Sequence, residues 1–269
     1  MDNENIHAIG FIPNRKINFI LILSLFLLRL GIGFFVLAGD IYFSIAPFYD
    51  MFTYFLSALF IWLNRDSLEK FNIDTLAISI FWVFRSLLWI DISQFSYKFL
   101  TFFINCIIAL VLVISLVKSG RYKLSNIKAS NIRWFIVGTI LGILIGWFLF
   151  SLEHSLNGIS GNRLIILFII GFISSMSIIS IAEEPLFRGF LWGHLRDLGW
   201  NERRILFIQA FLFWIVHFYY WNRFPFIILV PLLGIFFGVL AKHSKSIATS
   251  MAAHAGINAF NVIGALLKF

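Results

Sequence analysis

Charged residues are scarce in this sequence: Asp, Glu, Lys and Arg make up 13% of its 269 residues, where an average soluble domain holds about 25%. Too few polar side chains exist to clothe a water-facing surface of that size, which excludes an ordinary soluble domain. Cysteine is nearly absent. The single thiol, Cys106, lies inside an apolar run, so an intramolecular disulfide and a thiolate metal site are both excluded, and packing is its natural role. A continuous basic stretch with interleaved aromatics is missing as well. The net charge is +8, but Lys and Arg are scattered through short connections between apolar runs, which excludes nucleic acid as a partner. No repeat of fixed period and no low-complexity segment occurs. Arg15 and Lys16 precede an apolar segment in the manner of a signal peptide, but that segment is too long for one and further apolar runs follow.

What the sequence has is apolar bulk. Hydrophobic residues reach 60%, the mean hydropathy is +0.92, and Phe alone contributes 34 residues beside nine Trp. Lipid suits this composition as solvent, with aromatics on lipid-facing helices and at the interfaces. Runs long enough to span about 30 Å of hydrocarbon lie at 17–38, 42–63, 75–92, 98–117, 134–152, 163–195, 203–220, 225–241 and 246–267. Their length and even apolarity suit helices rather than barrel strands. The expected fold is therefore all-α, a polytopic integral membrane bundle of eight to nine transmembrane helices. Alternate connections divide Lys and Arg unequally, fifteen against four, with Arg29 and Arg85 inside spans. The richer set includes Arg188, the 118–133 loop and the N-terminal tail, while the poorer set is Lys98, Arg163, Arg223 and Lys268. This asymmetry places the N-terminus of a multi-pass membrane protein in the cytoplasm. The polar 118–133 connection, a topology determinant that also meets anionic lipid, separates N-terminal helices (1–130) from a second group (131–269).

Ionisable residues inside spans are costly, by about 2.5–3.5 kcal/mol each on insertion scales, and mark function by default. Three such places cluster in the last third. The first is Ala182-Glu183-Glu184-Pro185-Leu186-Phe187-Arg188-Gly189, inside a region too long for one simple crossing. Adjacent carboxylates repel in an apolar setting, so one must be neutralised. Glu184 and Arg188 stand at i, i+4, a pairing distance on a helix, which leaves Glu183 to act as a base. Pro185 lacks an N–H and disturbs the helix beside them. The second place is Phe213 to His217 and the third His254 to Asn258, each again at i, i+4. Glu183 lies thirteen residues before Arg196, His217 thirteen after Arg204, and Asn258 thirteen after Lys245. At 1.5 Å per residue each comes to about 20 Å from its basic anchor, so continuous helices would bring the three to one depth, with His254 one turn shallower.

A carboxylate with an imidazole can polarise water, and a second imidazole with a carboxamide can stabilise an oxyanion, which are the requirements of peptide hydrolysis. No Ser or Cys is tied by spacing to a His, so a Ser or Cys nucleophile is the less economical reading. The same Glu, His and Asn donors could instead bind Zn²⁺, and spacing does not choose.

In this order the motifs E-E-x-x-x-R (Glu183 to Arg188), F-x-x-x-H (Phe213 to His217) and H-x-x-x-N (His254 to Asn258) resemble the CPBP family of CAAX proteases and bacteriocin-processing proteins, which includes the type II CAAX prenyl endopeptidases. The resemblance covers residues 175–262. It implies a glutamate-dependent intramembrane endopeptidase without a cofactor, in which Glu183 and His217 activate water, His254 and Asn258 form the oxyanion site, and Glu184 and Arg188 support them. A metal stays open, because the family has also been viewed as metalloproteases. The implied partner is a peptide or protein tail presented at the lipid bilayer: a prenylated CAAX protein, a bacteriocin, a pheromone or a leader peptide. Two readings from other classes stand beside it, a non-catalytic immunity or regulatory protein that keeps the site for binding, and a transporter with a proton relay. Phe213 reads as packing. Arg29, Arg85, Asp40, Asp50 and Asp91 are explained by pairing or interface placement, and His154, His194 and His243 by solvated or headgroup positions.

Overall fold

Among the described residues each long apolar run contains a helix. The computed structural model describes residues 15–37, 40–87, 95–153, 161–221 and 224–267, without the side chains of 40–45, 95–99, 153 and 265–267. Asp91, His154, Arg223 and Lys268, and the side chains of Asp40 and Lys98, lie outside the described residues. The helices are α1 (Arg15–Leu37), α2 (Asp40–Leu63), α3 (Thr75–Ser86), α4 (Phe95–Lys118), α5 (Ala129–Glu153), α6 (Gly161–Ser175), α7 (Ile181–Glu184), α8 (Trp192–Asp197), α9 (Glu202–Val216), α10 (Phe226–Ser244) and α11 (Ile247–Leu267). No strand occurs among the described residues. α6, α7 and α8 run on as one broken rod over Gly161–Asp197, joined by wider π-type turns at Met176–Ser180 and Pro185–Leu191.

Six helical stretches among the described residues are long and apolar enough to cross a membrane: α1, α2, α4, α5, the broken rod and α10. The expected nine is not reached by that measure. α3 has twelve residues and α9 fifteen, and α11 is rich in small and polar buried residues, among them Thr249, Ser250 and His254. One charge counted among the connections is also reassigned. Arg188 is fully buried, so it belongs with Arg29 and Arg85 inside the protein rather than with the loop charges.

Two hairpins set the depth of the site. After α8, Gly199 adopts a positive φ of 78° and the amides of Leu198, Gly199 and Trp200 return to carbonyls of the last turn, a helix stop that glycine permits at no steric cost. Asn201 then caps α9 by accepting the Arg204 amide at 2.9 Å. The chain reverses within four residues, so positions equally far from the turn meet side by side. Between α10 and α11, Lys245 supplies the left-handed residue, and Ser246 Oγ accepts the Ala248 amide at 3.2 Å.

α11, which carries His254, is seated against α5 along a seam of small residues. Gly138, Gly142 and Gly146, one turn apart, face Thr249, Ala253 and Ile257, and a Cβ at Gly142 would run into the Ala253 carbonyl. Such close backbone approach is how helices associate where lipid offers no hydrophobic drive. The connection before α3 ties the two halves of the chain. Asn72, in the left-handed region, donates to the Arg188 carbonyl (2.9 Å), accepts from Arg196 Nη1 (3.0 Å) and offers its own carbonyl to the Ile247 amide (2.8 Å). Asp74 caps α3 through the Ala77 amide and also accepts from Ser246 and Asn131. Arg85 of α3 pairs with Asp50 of α2 and donates to the Ser177 carbonyl at 2.8 Å, while Ser177 Oγ donates to Phe84 O at 2.6 Å. The carbonyls of Ser177 and Arg188, one in each π-type turn, thus find side-chain donors on or beside α3.

Candidate active site

Glu183 and Glu184 end α7, immediately before Pro185 opens the second π-type turn. A proline has no N–H to return to the preceding turn, which is why the regular ladder gives way there. Both glutamates are completely buried, as is Arg188. In an apolar interior such charges persist only when paired, and each glutamate has its own cation.

Glu184 Oε1 accepts from Arg188 Nη1 at 3.1 Å and from His254 Nδ1 at 2.8 Å. Arg188 Nη2 donates to the Gly234 carbonyl at 3.1 Å, which also accepts from Gln209 Nε2 at 3.0 Å. The guanidinium carbon lies 4.3 Å from the centre of the Phe213 ring, a cation–π contact. Glu183 is held differently. Its Oε1 is in contact with Nη2 of Arg29, which reaches in from α1. Its Oε2 faces His217 Nε2 at 3.7 Å and His254 Nε2 at 3.9 Å. Those separations are too long for direct hydrogen bonds.

The two imidazoles are fixed from behind. α9 stops at Val216, so His217 is its capping residue rather than part of a span continuing to 220, and its Nδ1 meets the Phe213 carbonyl at 2.7 Å. A carbonyl only accepts, so Nδ1 carries the proton and the Nε2 lone pair points toward Glu183. His254 Nδ1 likewise donates to Glu184, and its Nε2 also points toward Glu183. Aromatic rings wall both: Phe213 lies 4.4 Å from the His217 ring, and Phe237 stacks on His254 at 4.7 Å.

The residues singled out from sequence thus separate into two groups. Glu183, Glu184, Arg188, His217 and His254 converge on one buried cluster. Asn258 lies one turn beyond His254, partly buried, and its Oδ1 accepts from Asn261 at 3.3 Å; among the described residues its side chain makes no hydrogen bond to the other five. Phe213 packs, as expected, but its carbonyl also orients His217. Arg29 and Gln209 were not read as site residues. α1 contains no acidic residue, so the charge of Arg29 required a partner from another helix. His194 is buried against Phe19, at 6.0 Å between rings, rather than solvated.

Among the described residues no group of three or more His, Cys, Asp or Glu is arranged to hold a metal ion. Glu183, the carboxylate nearest both imidazoles, already carries the Arg29 cation, which opposes a second positive charge at the same carboxylate.

Residues 165–260, about a third of the chain, match a family model described as Type II CAAX prenyl endopeptidase Rce1-like. That stretch is similar to this family. It contains every site residue except Arg29, and it agrees with the CPBP resemblance carried by the three motifs. No curated protein and no solved structure gives a significant match.

Proposed function

We propose that the protein is an intramembrane endopeptidase of the CAAX-protease type that hydrolyses a peptide bond in a tail presented at the bilayer. The observation that carries this reading is the approach of one oxygen of a buried carboxylate to two imidazole nitrogens, within the Rce1-like stretch. Glu183 Oε2 and His217 Nε2 are both acceptors. A water placed between them donates one hydrogen to each and directs its remaining lone pair at a substrate carbonyl. Attack forms the C–O bond and moves the carbonyl π pair onto oxygen. Glu183 takes the proton of water and returns it to the departing amide nitrogen as the C–N bond breaks. His254, whose Nδ1–H is held by Glu184, donates to the oxyanion through Nε2 when that nitrogen carries a proton. Ser180 Oγ, Thr249 Oγ1 and Glu184 Oε2 are buried atoms without a protein partner, as in a hydrated interior. We also read α3, α9 and α11 as embedded in the bilayer, which makes nine crossings with a cytoplasmic N-terminus.

The test is hydrolysis by the purified protein in detergent. The probes are a farnesylated peptide ending in a CAAX sequence and an unprenylated leader-type peptide, followed by mass spectrometry with and without chelator. Glu183→Gln and His217→Ala should each lower kcat by about 10²–10⁴, and cleavage should survive metal removal. Wild-type turnover in Glu183→Gln at normal protein levels would sink Glu183 as the base, and a wild-type protein that cleaves neither peptide would sink the hydrolase reading.

A further inference from the structure

Arg29 stands outside the Rce1-like stretch, on the first helix of the N-terminal half, yet its guanidinium pairs with Glu183. We infer that Arg29 is a positioning residue of the reaction centre: it grips Glu183 by Oε1 so that Oε2 is aimed between His217 and His254. The inference rests on the hydrolase reading above and adds to it a residue from α1.

The two carboxylate oxygens have separate tasks in this geometry. Oε1 meets the guanidinium, and Oε2 meets only the imidazoles. With Oε1 held by the guanidinium and Cδ tethered to its own side chain, the planar carboxylate leaves Oε2 one direction, which is set by where α1 lies. The placement of α1 is itself controlled next to His217. Gly33, one turn after Arg29 and on the same face, packs so closely on the 218–220 turn that a Cβ there would come 2.6 Å from the Phe218 ring. Phe34 adds a ring contact to Phe218 at 4.8 Å. One face of α1 thus touches both the base and the turn that follows its imidazole partner. Helix-to-helix pairing for stability is supplied elsewhere, by Arg85 with Asp50 and by the Asn18 to Asn64 amide pair at 2.9 Å. The charged groups around Glu183 are Arg29 from α1, His217 after α9, His254 from α11, and Glu184 and Arg188 from its own rod. Asp50 of α2 is engaged by Arg85.

The test uses the full chain in detergent, with the peptide that the wild type cleaves. Arg29→Met should lower kcat by about 10²-fold, leave KM within about twofold, and regain activity when guanidinium ion is added. Glu183→Gln should show no such rescue. Arg29→Lys keeps a cation but not the planar fork, so its kcat should fall between wild type and Arg29→Met. Because Lys retains the charge, it decides the matter if Arg29→Met is not recovered as folded protein. Wild-type kcat in either variant, or a loss expressed wholly in KM, overturns the inference while the hydrolase reading stands. A wild-type protein that cleaves neither peptide class overturns both.

Discussion

Glu184 is the residue whose replacement tests most sharply whether the cluster is a connected network. It is fully buried, and one oxygen receives both Arg188 Nη1 at 3.1 Å and His254 Nδ1 at 2.8 Å. Hydrogen bonds to a charged group contribute about 1.5–3 kcal/mol each, against about 0.5–1.5 for neutral ones. Glu184→Gln can keep an accepting oxygen in place but loses the charge from both bonds, so it should destabilise by about 2–3 kcal/mol on that difference. Glu184→Ala leaves Arg188 as a buried cation with only a carbonyl and aromatic faces, a loss of about 3–5 kcal/mol. The discriminating measurement is the double variant Glu184→Ala with Arg188→Met. Removing both charges leaves no orphan, so the double variant should be more stable than Glu184→Ala alone. Unfolding in mixed detergent micelles, followed by near-UV circular dichroism, reads the wild type, the Glu184 variants, Arg188→Met and the double variant. Strictly additive losses, or a wild-type midpoint for Glu184→Ala, would refute the network. Turnover gives a second reading, because Glu184→Gln should depress kcat through a loosened His254 even where the protein stays folded.

Gly142→Leu should force α11 away from α5, since the Ala253 carbonyl occupies the space a side chain needs; peptide cleavage should fall at least as far as in His254→Ala, and unaltered kcat would contradict the seam. Asn72→Ala leaves the Arg188 carbonyl and Arg196 each short of a partner and should destabilise by about 1–3 kcal/mol, measured by the same unfolding assay. Arg85→Met strands Asp50 and releases the Ser177 carbonyl, a loss of about 3–5 kcal/mol. The paired variant Arg85→Met with Asp50→Leu should recover part of that loss.

Much of the architecture could be read from apolar length alone, because a run that fills a bilayer has helix as its economical form. The shared depth of Glu183 and His217 was legible too, and for a reason that survives the failure of its premise. The helices are not continuous: α9 stops at His217 and the rod widens at Pro185. Both positions are nonetheless measured from one four-residue hairpin at 198–201, so local departures beyond it do not separate them. On α11, counted from a different hairpin, it is His254, one turn shallower, and not Asn258 that joins the cluster. The close-packing glycines at 138, 142 and 146 were visible as spacing, yet nothing in that spacing tells which helix they receive. Arg29 was visible as an intramembrane charge without an acid on its own helix. Its partner could not be named from sequence, because the contact joins residues from opposite halves of the chain.

Adjacent buried glutamates pose an electrostatic problem that this fold solves by dividing them. Successive residues of a helix point about 100° apart, so Glu183 and Glu184 address different neighbours: α1 and the end of α9 for the first, Arg188 and α11 for the second. Each therefore meets its own guanidinium, and the two imidazoles lie in the sector between. His254 touches both sides, with Nδ1 on Glu184 and Nε2 toward Glu183. A change at either carboxylate is consequently felt at the other through one ring. The widened turn after Pro185 belongs to the same solution, because it lets the Arg188 carbonyl turn outward to Asn72 while the Arg188 side chain stays against Glu184. Charge separation, ring orientation and the broken backbone are in this sense one structural device, with the base set on the side that α1 completes.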